Sequence, residues 1–437
     1  MSYLSSALTI DHISTLERCS SYFIKRLILP VKLSAVSFGA HPRYSIPAYF
    51  GGQVSANSQH SRSKSKVFPR REGWTRLMES FLPMRRLTRY NGCSSIIRTF
   101  LVVFLLVAFI RPLRNALVPM WPKVYREMST YRVLTMYLED AFFYVETRPY
   151  VGSCSGVHER LLQVRMPRLE EMPVYEMDVW NRHMARVRRS LPPSEFELLD
   201  KFKPSMTEQE QRFIMFAMLS ATQAMTAFNI THLVRGGSLI GYWRHHGRMP
   251  WDEDIDILVD STQWKLARKV LSCLPDLQLN MDPQHMWKLF HKDAALWKNE
   301  KFIRFPYVDL FLYRADEDHV WPLTIWMKMI TMKRRHALPP RQGVFEGWPI
   351  SIPHRPADVL HELYPGRIMA DCYSQIFHRR ARERVPHKQR IYVPCSMLRG
   401  IYPLVVRRLD GGGVVEERML GSKLLSTFNT TYNGFLE

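Results

Sequence analysis

Residues 233–260 read LVRGGSLIGYWRHHGRMPWDEDIDILVD, and the fold is decided in this stretch. Its end, DIDILV, alternates as a strand does: Asp254, Asp256 and Leu258 face one way, Ile255, Ile257 and Val259 the other. Side chains at i and i+2 of a strand project together, about 6–7 Å apart along the backbone. Two carboxylates held so repel each other unless a cation sits between them, and an all-oxygen donor set suits Mg2+ or Mn2+, which bind substrate phosphates as well. The start of the stretch supplies the opposite sign. Gly236 and Gly237 read as a turn that lets backbone approach a phosphate, and Ser238 offers a hydroxyl. SLIGYWRHH reads as a short helix whose N-terminus aims amide N–H groups at an anion, and Arg244 can neutralise a second phosphate oxygen.

Working outward, Thr207 with Glu210 fits a capping box that opens a helix over 208–228. THLV reads as a short strand, a helix is expected over 262–274, and YVDLFLY (307–313) reads as another strand. That strand presents Asp309 as a third metal ligand or a general base. The order helix, strand, turn, helix, strand, helix, strand defines a mixed α/β unit. A run such as DEDID is by itself most often a solvated loop. Its position after the Gly-Gly-Ser segment, and before a strand aspartate, turns the set into a candidate for metal-assisted phosphoryl transfer. Asp254, Asp256 and Asp309 are the candidate metal and catalytic residues; Gly236, Gly237, Ser238, Arg244 and Asp252 are the candidate substrate-binding residues.

These residues resemble the signature of the LicD/fukutin family. The matching positions are Gly236-Gly237-Ser238-Leu239-Ile240-Gly241, Arg244, Pro250-Trp251-Asp252-Glu253-Asp254-Ile255-Asp256 and Val308-Asp309-Leu310-Phe311, with a closing segment FEGWPISIPHRPADVLHELYPG. The resemblance covers residues 207 to 378. Glu253 replaces an aspartate common in bacterial members, and Pro365 stands where a glycine often follows the tyrosine. The resemblance implies a nucleotidyltransferase-like mixed sheet flanked by helices. It also implies transfer of a phospho-alcohol or phospho-sugar group, such as phosphocholine or ribitol phosphate, from a CDP-linked or other nucleotide-linked donor to a glycan or glycoprotein hydroxyl in the secretory pathway.

The remainder of the chain adds an organisation. Of the formal net charge of +21 in 437 residues, +11 lies before residue 99, where fifteen Lys and Arg face four Asp and Glu. Residues 1–93 read as a disordered basic tail. Ile96 to Ile110 is apolar but for Arg98 and Thr99; as a helix it reaches about 22 Å against a hydrocarbon core of about 30 Å. With Arg98 snorkelling, residues 94–113 are expected to form a single signal-anchor helix, the alternative being a buried core helix. Residues 114–206 read as a helical stem or an N-terminal layer of the folded unit, 207–380 as the catalytic domain and 381–437 as a C-terminal extension. Two sequons, at Asn229 and Asn429, are compatible with a lumenal C-terminal portion on a Golgi or endoplasmic reticulum membrane. The cysteines lack the paired spacing of a zinc site, and the four beyond the apolar segment can form up to two disulfides or stay as buried thiols. His245 and His246 are expected to contact phosphate or solvent, and FHRRARERVPHKQR (377–390) to form a solvated helix and loop. A nucleic-acid nucleotidyltransferase would account for the positive charge, but about half of the excess precedes the apolar segment, so no nucleic-acid partner is expected. A non-catalytic relative that regulates glycan phosphorylation is the remaining alternative.

Overall fold

The computed structural model describes residues 123–430, save 149, 190, 299, 365–370 and 412. The expected tail (1–93) and signal anchor (94–113) lie outside the described residues, as do the first residues of the expected stem. Among the described residues no helix is long and apolar enough to cross a membrane.

The central element is a seven-stranded mixed sheet. Its strands are β1 (His232–Val234), β2 (Ile255–Asp260), β3 (Leu277–Asn280), β4 (Met286–His291), β5 (Val308–Ala315), β6 (His319–Pro322) and β7 (Met332–Lys333). They lie in the order β1-β2-β5-β4-β3, with β6 paired to β5 and to β7. Only β2 and β5 run parallel. Their register sets Asp256 beside Asp309, and the antiparallel register of β4 with β5 sets Lys288 opposite Asp309. Paired residues share a face of the sheet, so one row across three strands carries acid, acid and base.

Four helices matter for the site: α1 (Thr130–Ala141), α2 (Glu208–Ala227), α3 (Gly236–His245) and α4 (Trp264–Ser272). The expected capping box opens α2. The Thr207 hydroxyl accepts from the Glu210 backbone N–H at 3.3 Å, and the Glu210 carboxylate accepts from the Thr207 N–H at 2.7 Å. Phe213 through Thr222 are all buried, which is the pattern of a helix enclosed on every side. It packs on β4 and α4. The mixed α/β reading of the sequence therefore holds.

Val145, Leu161, Trp180 and Phe202 share one continuous apolar core with the strands, so this part of the chain packs as a layer on the sheet. Near the end of α1, Asp140 accepts from Trp321 Nε1 at 2.9 Å and Arg314 Nη1 at 3.2 Å and pairs with the buried Lys328. A buried charge placed against three donors is tolerable where a lone one is not. Both disulfides allowed by the sequence are present, Cys154–Cys273 and Cys372–Cys395.

Beyond the sheet, Phe377–His378 (β8) and Glu383–Arg384 (β9) form a small hairpin. This corrects the expected solvated helix over 377–390. Charge composition alone suggested exposure, whereas the turn of the hairpin is bonded into the site described below. Leu404–Asp410 (β10), Gly413–Leu420 (β11) and Lys423–Thr430 (β12) form an antiparallel sheet at the end of the chain, and β10 packs on α3.

Candidate active site

Helix α3 begins on Gly236 itself, so the glycines expected as a turn before it form its first turn. Gly236 has φ +57°, and a Cβ there would collide with the Asp256 carboxylate; at Gly237 a Cβ would stand 2.7 Å from Asp252 Oδ2. The glycines thus let two carboxylates close on the backbone. The Asp256 N–H donates to Ser238 Oγ at 2.8 Å, and the Arg235 N–H donates to the Asp256 carbonyl at 3.1 Å. The start of α3 is in this way docked on the strand of acids, with Ser238 as the pin. Arg244 lies in the last turn of α3, buried, and donates to the Asp371 carbonyl, its guanidinium 5.9 Å from the Tyr373 ring centroid. The structure sets it against the 371–373 segment.

Asp254, Asp256 and Asp309 converge: each offers an oxygen, and these oxygens lie within 4.8 Å of one another. Burial, then the charges of Asp254 and Asp309, push the Asp256 carboxyl up to about 7 against the opposing pull of Arg235 and Arg379. Burial followed by Asp254 also raises Asp252 well above the usual carboxylate range.

Three cations absent from the sequence expectation answer these acids. Lys288 forms an ion pair with Asp309 Oδ1, its ammonium 3.9 Å from the Tyr307 ring centroid. Arg379, in the hairpin turn, forms an ion pair with Asp254 Oδ2. Arg235, just ahead of α3, stacks over Phe311 at 4.6 Å and acts on Asp256 through its charge. The Lys288 signal was present in MWKLFH, where a lysine interrupts a strand that is otherwise apolar and aromatic. Arg379 sits among so many charges that nothing local marked it.

The loop before β2 is held from behind. Arg248, 2% exposed, donates through Nη1 to the carbonyls of Met249, Pro250 and Asp252 and through Nη2 to Gln211 at 2.6 Å. Residues 249–252 therefore curl around one guanidinium. Trp251 is buried edge-on against Phe202, and its Nε1 donates to the Tyr373 carbonyl at 3.0 Å. The Pro-Trp lead-in is thus a structural anchor for the acids. His245 and His246, expected at phosphate or solvent, are buried instead. His245 Nδ1 bonds the Pro403 carbonyl at 2.7 Å; His246 Nε2 bonds Glu416 at 2.8 Å, and Arg407 donates to the same carboxylate at 2.7 Å. They join α3 to the C-terminal sheet, a packing role that adjacency to Arg244 in the sequence did not disclose.

Three convergent carboxylates, one of them resisting ionisation because it is buried and its neighbours are charged, form an all-oxygen donor set that fits a divalent cation such as Mg2+ or Mn2+. Because the Asp256 proton must leave before the carboxylate can bind metal, affinity for Mn2+ is expected to fall as pH drops below about 7 and to level off above it. Isothermal titration between pH 5.5 and 8.5 measures this, and a flat profile would contradict it.

Comparison with known proteins bears on the same segment. Residues 229–355 match the family described as LicD/FKTN/FKRP, nucleotidyltransferase domain. This match supports the resemblance to the LicD/fukutin family. The matched segment contains the whole central sheet, the three convergent acids, the start of α3 and Lys288, but ends before Arg379. The match is narrower than the sequence resemblance over 207 to 378, and the helix α2 and the hairpin lie beyond it. No curated protein matches the chain. A LicD domain is consistent with a transferase acting in glycan-related phosphotransfer.

Proposed function

We propose that the chain is a metal-dependent phosphotransferase that moves a phospho-alcohol or phospho-sugar group from a nucleotide-linked donor, CDP-linked by family resemblance, to a hydroxyl of a glycan. The observation that carries this reading is the convergence of Asp254, Asp256 and Asp309 on adjacent parallel strands within the segment that matches the LicD family. A Mg2+ or Mn2+ ion held by these three would supply charge neutralisation for the donor pyrophosphate. The chain's own residues do the rest. Lys288 pairs with Oδ1 of Asp309 and holds that carboxylate beside Asp254 and Asp256, which supports a ligand role for Asp309. Asp252 and Arg248 shape the loop that presents Asp254. Gly236 and Gly237 place the N-terminal amides of α3 beside the acids, where a phosphate of the donor would lie. The acceptor oxygen bonds to the donor's distal phosphorus as the bond to the nucleoside monophosphate breaks; the nucleotide leaves with the electron pair, and the hydroxyl proton passes to solvent water.

Two disulfides and two exposed sequon asparagines, Asn229 and Asn429, favour an oxidising, secretory compartment. The test is a donor screen with the full chain. Mg2+- or Mn2+-dependent release of CMP from one of a panel of CDP-linked alcohols, in the presence of a glycan acceptor, supports the proposal. Absence of release across nucleotide-linked donors, with metal binding intact, would favour a non-catalytic regulator.

A further inference from the structure

The hairpin that carries Arg379 is fastened on one side to Trp297 and Lys298 and on the other to the acid loop. Trp297 Nε1 donates to the Arg379 carbonyl at 2.7 Å, Lys298 Nζ to the Ala381 carbonyl at 3.2 Å, and Arg382 Nη1 to the Lys298 carbonyl at 3.0 Å. The Arg382 guanidinium also stacks 3.9 Å from the Trp297 ring centroid. From the other side, the Arg380 N–H donates to Glu253 Oε2 at 3.1 Å. Consecutive residues of one loop thus hold consecutive residues of the hairpin: Glu253 fixes the Arg380 backbone, and Asp254 pairs with the Arg379 side chain. The backbone of the turn is therefore fixed independently of the Arg379 guanidinium.

The two ion pairs at the acids differ in kind. Lys288 has a side chain 7% exposed and lies under the Tyr307 ring, a built-in part of the sheet. The Arg379 side chain is 34% exposed and binds the one metal-candidate acid that precedes β2. An arginine already a third exposed can exchange partners without a change of burial; the enclosed lysine cannot. Its planar fork matches a phosphate as well as it matches a carboxylate.

We propose that Arg379 is a donor-binding residue that exchanges partners. In the free protein it covers Asp254 and competes with the divalent cation; in the loaded site it moves to a phosphate of the nucleotide donor. The proposal rests on the phosphotransferase reading above. It makes metal and donor binding cooperative, because each ligand removes the cost that Arg379 imposes on the other.

The test is a pair of titrations on the full chain, Mn2+ alone and CDP in saturating Mn2+, for wild type, Arg379→Gln and Arg379→Lys. Arg379→Gln is expected to bind Mn2+ alone about tenfold more tightly and CDP about tenfold more weakly, the opposite shifts being the signature of exchange. Arg379→Lys is expected to return Mn2+ affinity towards wild type, since it restores the competing charge, and to recover CDP binding only in part. A purely structural arginine predicts that both affinities fall together with thermal stability. Unchanged or weakened Mn2+ binding in a folded Arg379→Gln protein, with wild type binding Mn2+, would overturn the proposal alone. Failure of wild type to bind Mn2+ at all would remove the phosphotransferase reading and this inference with it.

Discussion

Asp256→Asn is expected to lower phosphotransfer by about a thousandfold or more while leaving the fold intact. The side chain changes by one atom, and the bonds that fix its backbone, to Ser238 and Arg235, do not involve the carboxylate. What is lost is one of three charges able to hold the metal. The same substitution should not destabilise the protein near neutral pH. In the folded chain the carboxyl is raised to about 7 from an ordinary value of 3.8, so the folded state holds the proton more tightly than the unfolded state. The stability this contributes is fully present below about pH 4 and is lost as pH rises through about 7. Without metal, Asp256→Asn should therefore gain on wild type across that window, by on the order of 1–3 kcal/mol at its upper end. Urea denaturation at several pH values, with and without Mg2+, measures the difference. A variant that unfolds at neutral pH would show that the carboxylate is a structural group.

Lys288→Met should be the most destabilising single change at the site, costing about 3–5 kcal/mol. The variant removes the ammonium from a pair that is almost wholly buried, and so leaves Asp309 facing Asp256 and Asp254 with one fewer cation. The methionine fills a similar volume, so packing under Tyr307 changes little and the loss is electrostatic. Two consequences separate this from a cavity effect. Added Mg2+ should restore part of the lost stability, because it supplies the missing charge. The double variant Lys288→Met, Asp309→Asn should be more stable than Lys288→Met alone, while remaining inactive. Equal stability of the single and double variants would place the loss in packing.

Much of this site was legible in the sequence for a physical reason: strand alternation is a short-range property, and Asp254, Asp256 and Asp309 each lie in or beside a run whose period fixes the face they occupy. The capping box at Thr207 and Glu210 was legible on the same ground. The cations were not, because each acts across a distance that periodicity does not measure. Lys288 reaches Asp309 through strand pairing, and Arg379 reaches Asp254 from a hairpin more than a hundred residues later. His245 and His246 were misread because exposure was inferred from polarity, whereas Pro403 and Glu416, far along the chain, give them buried partners. The glycines of α3 were assigned to phosphate approach; the structure adds that carboxylates already press against them, so Gly236 and Gly237 are needed before any ligand binds.

The central claim is that Asp254, Asp256 and Asp309 hold one divalent cation. A Mn2+ titration of the full chain followed by electron paramagnetic resonance tests it most directly. One site per chain is expected in wild type, lost in Asp256→Asn and in Asp309→Asn but retained when a distant acid such as Glu417, paired with Arg408 in the C-terminal sheet, is replaced by glutamine. Wild-type stoichiometry and affinity in both aspartate variants would contradict the account.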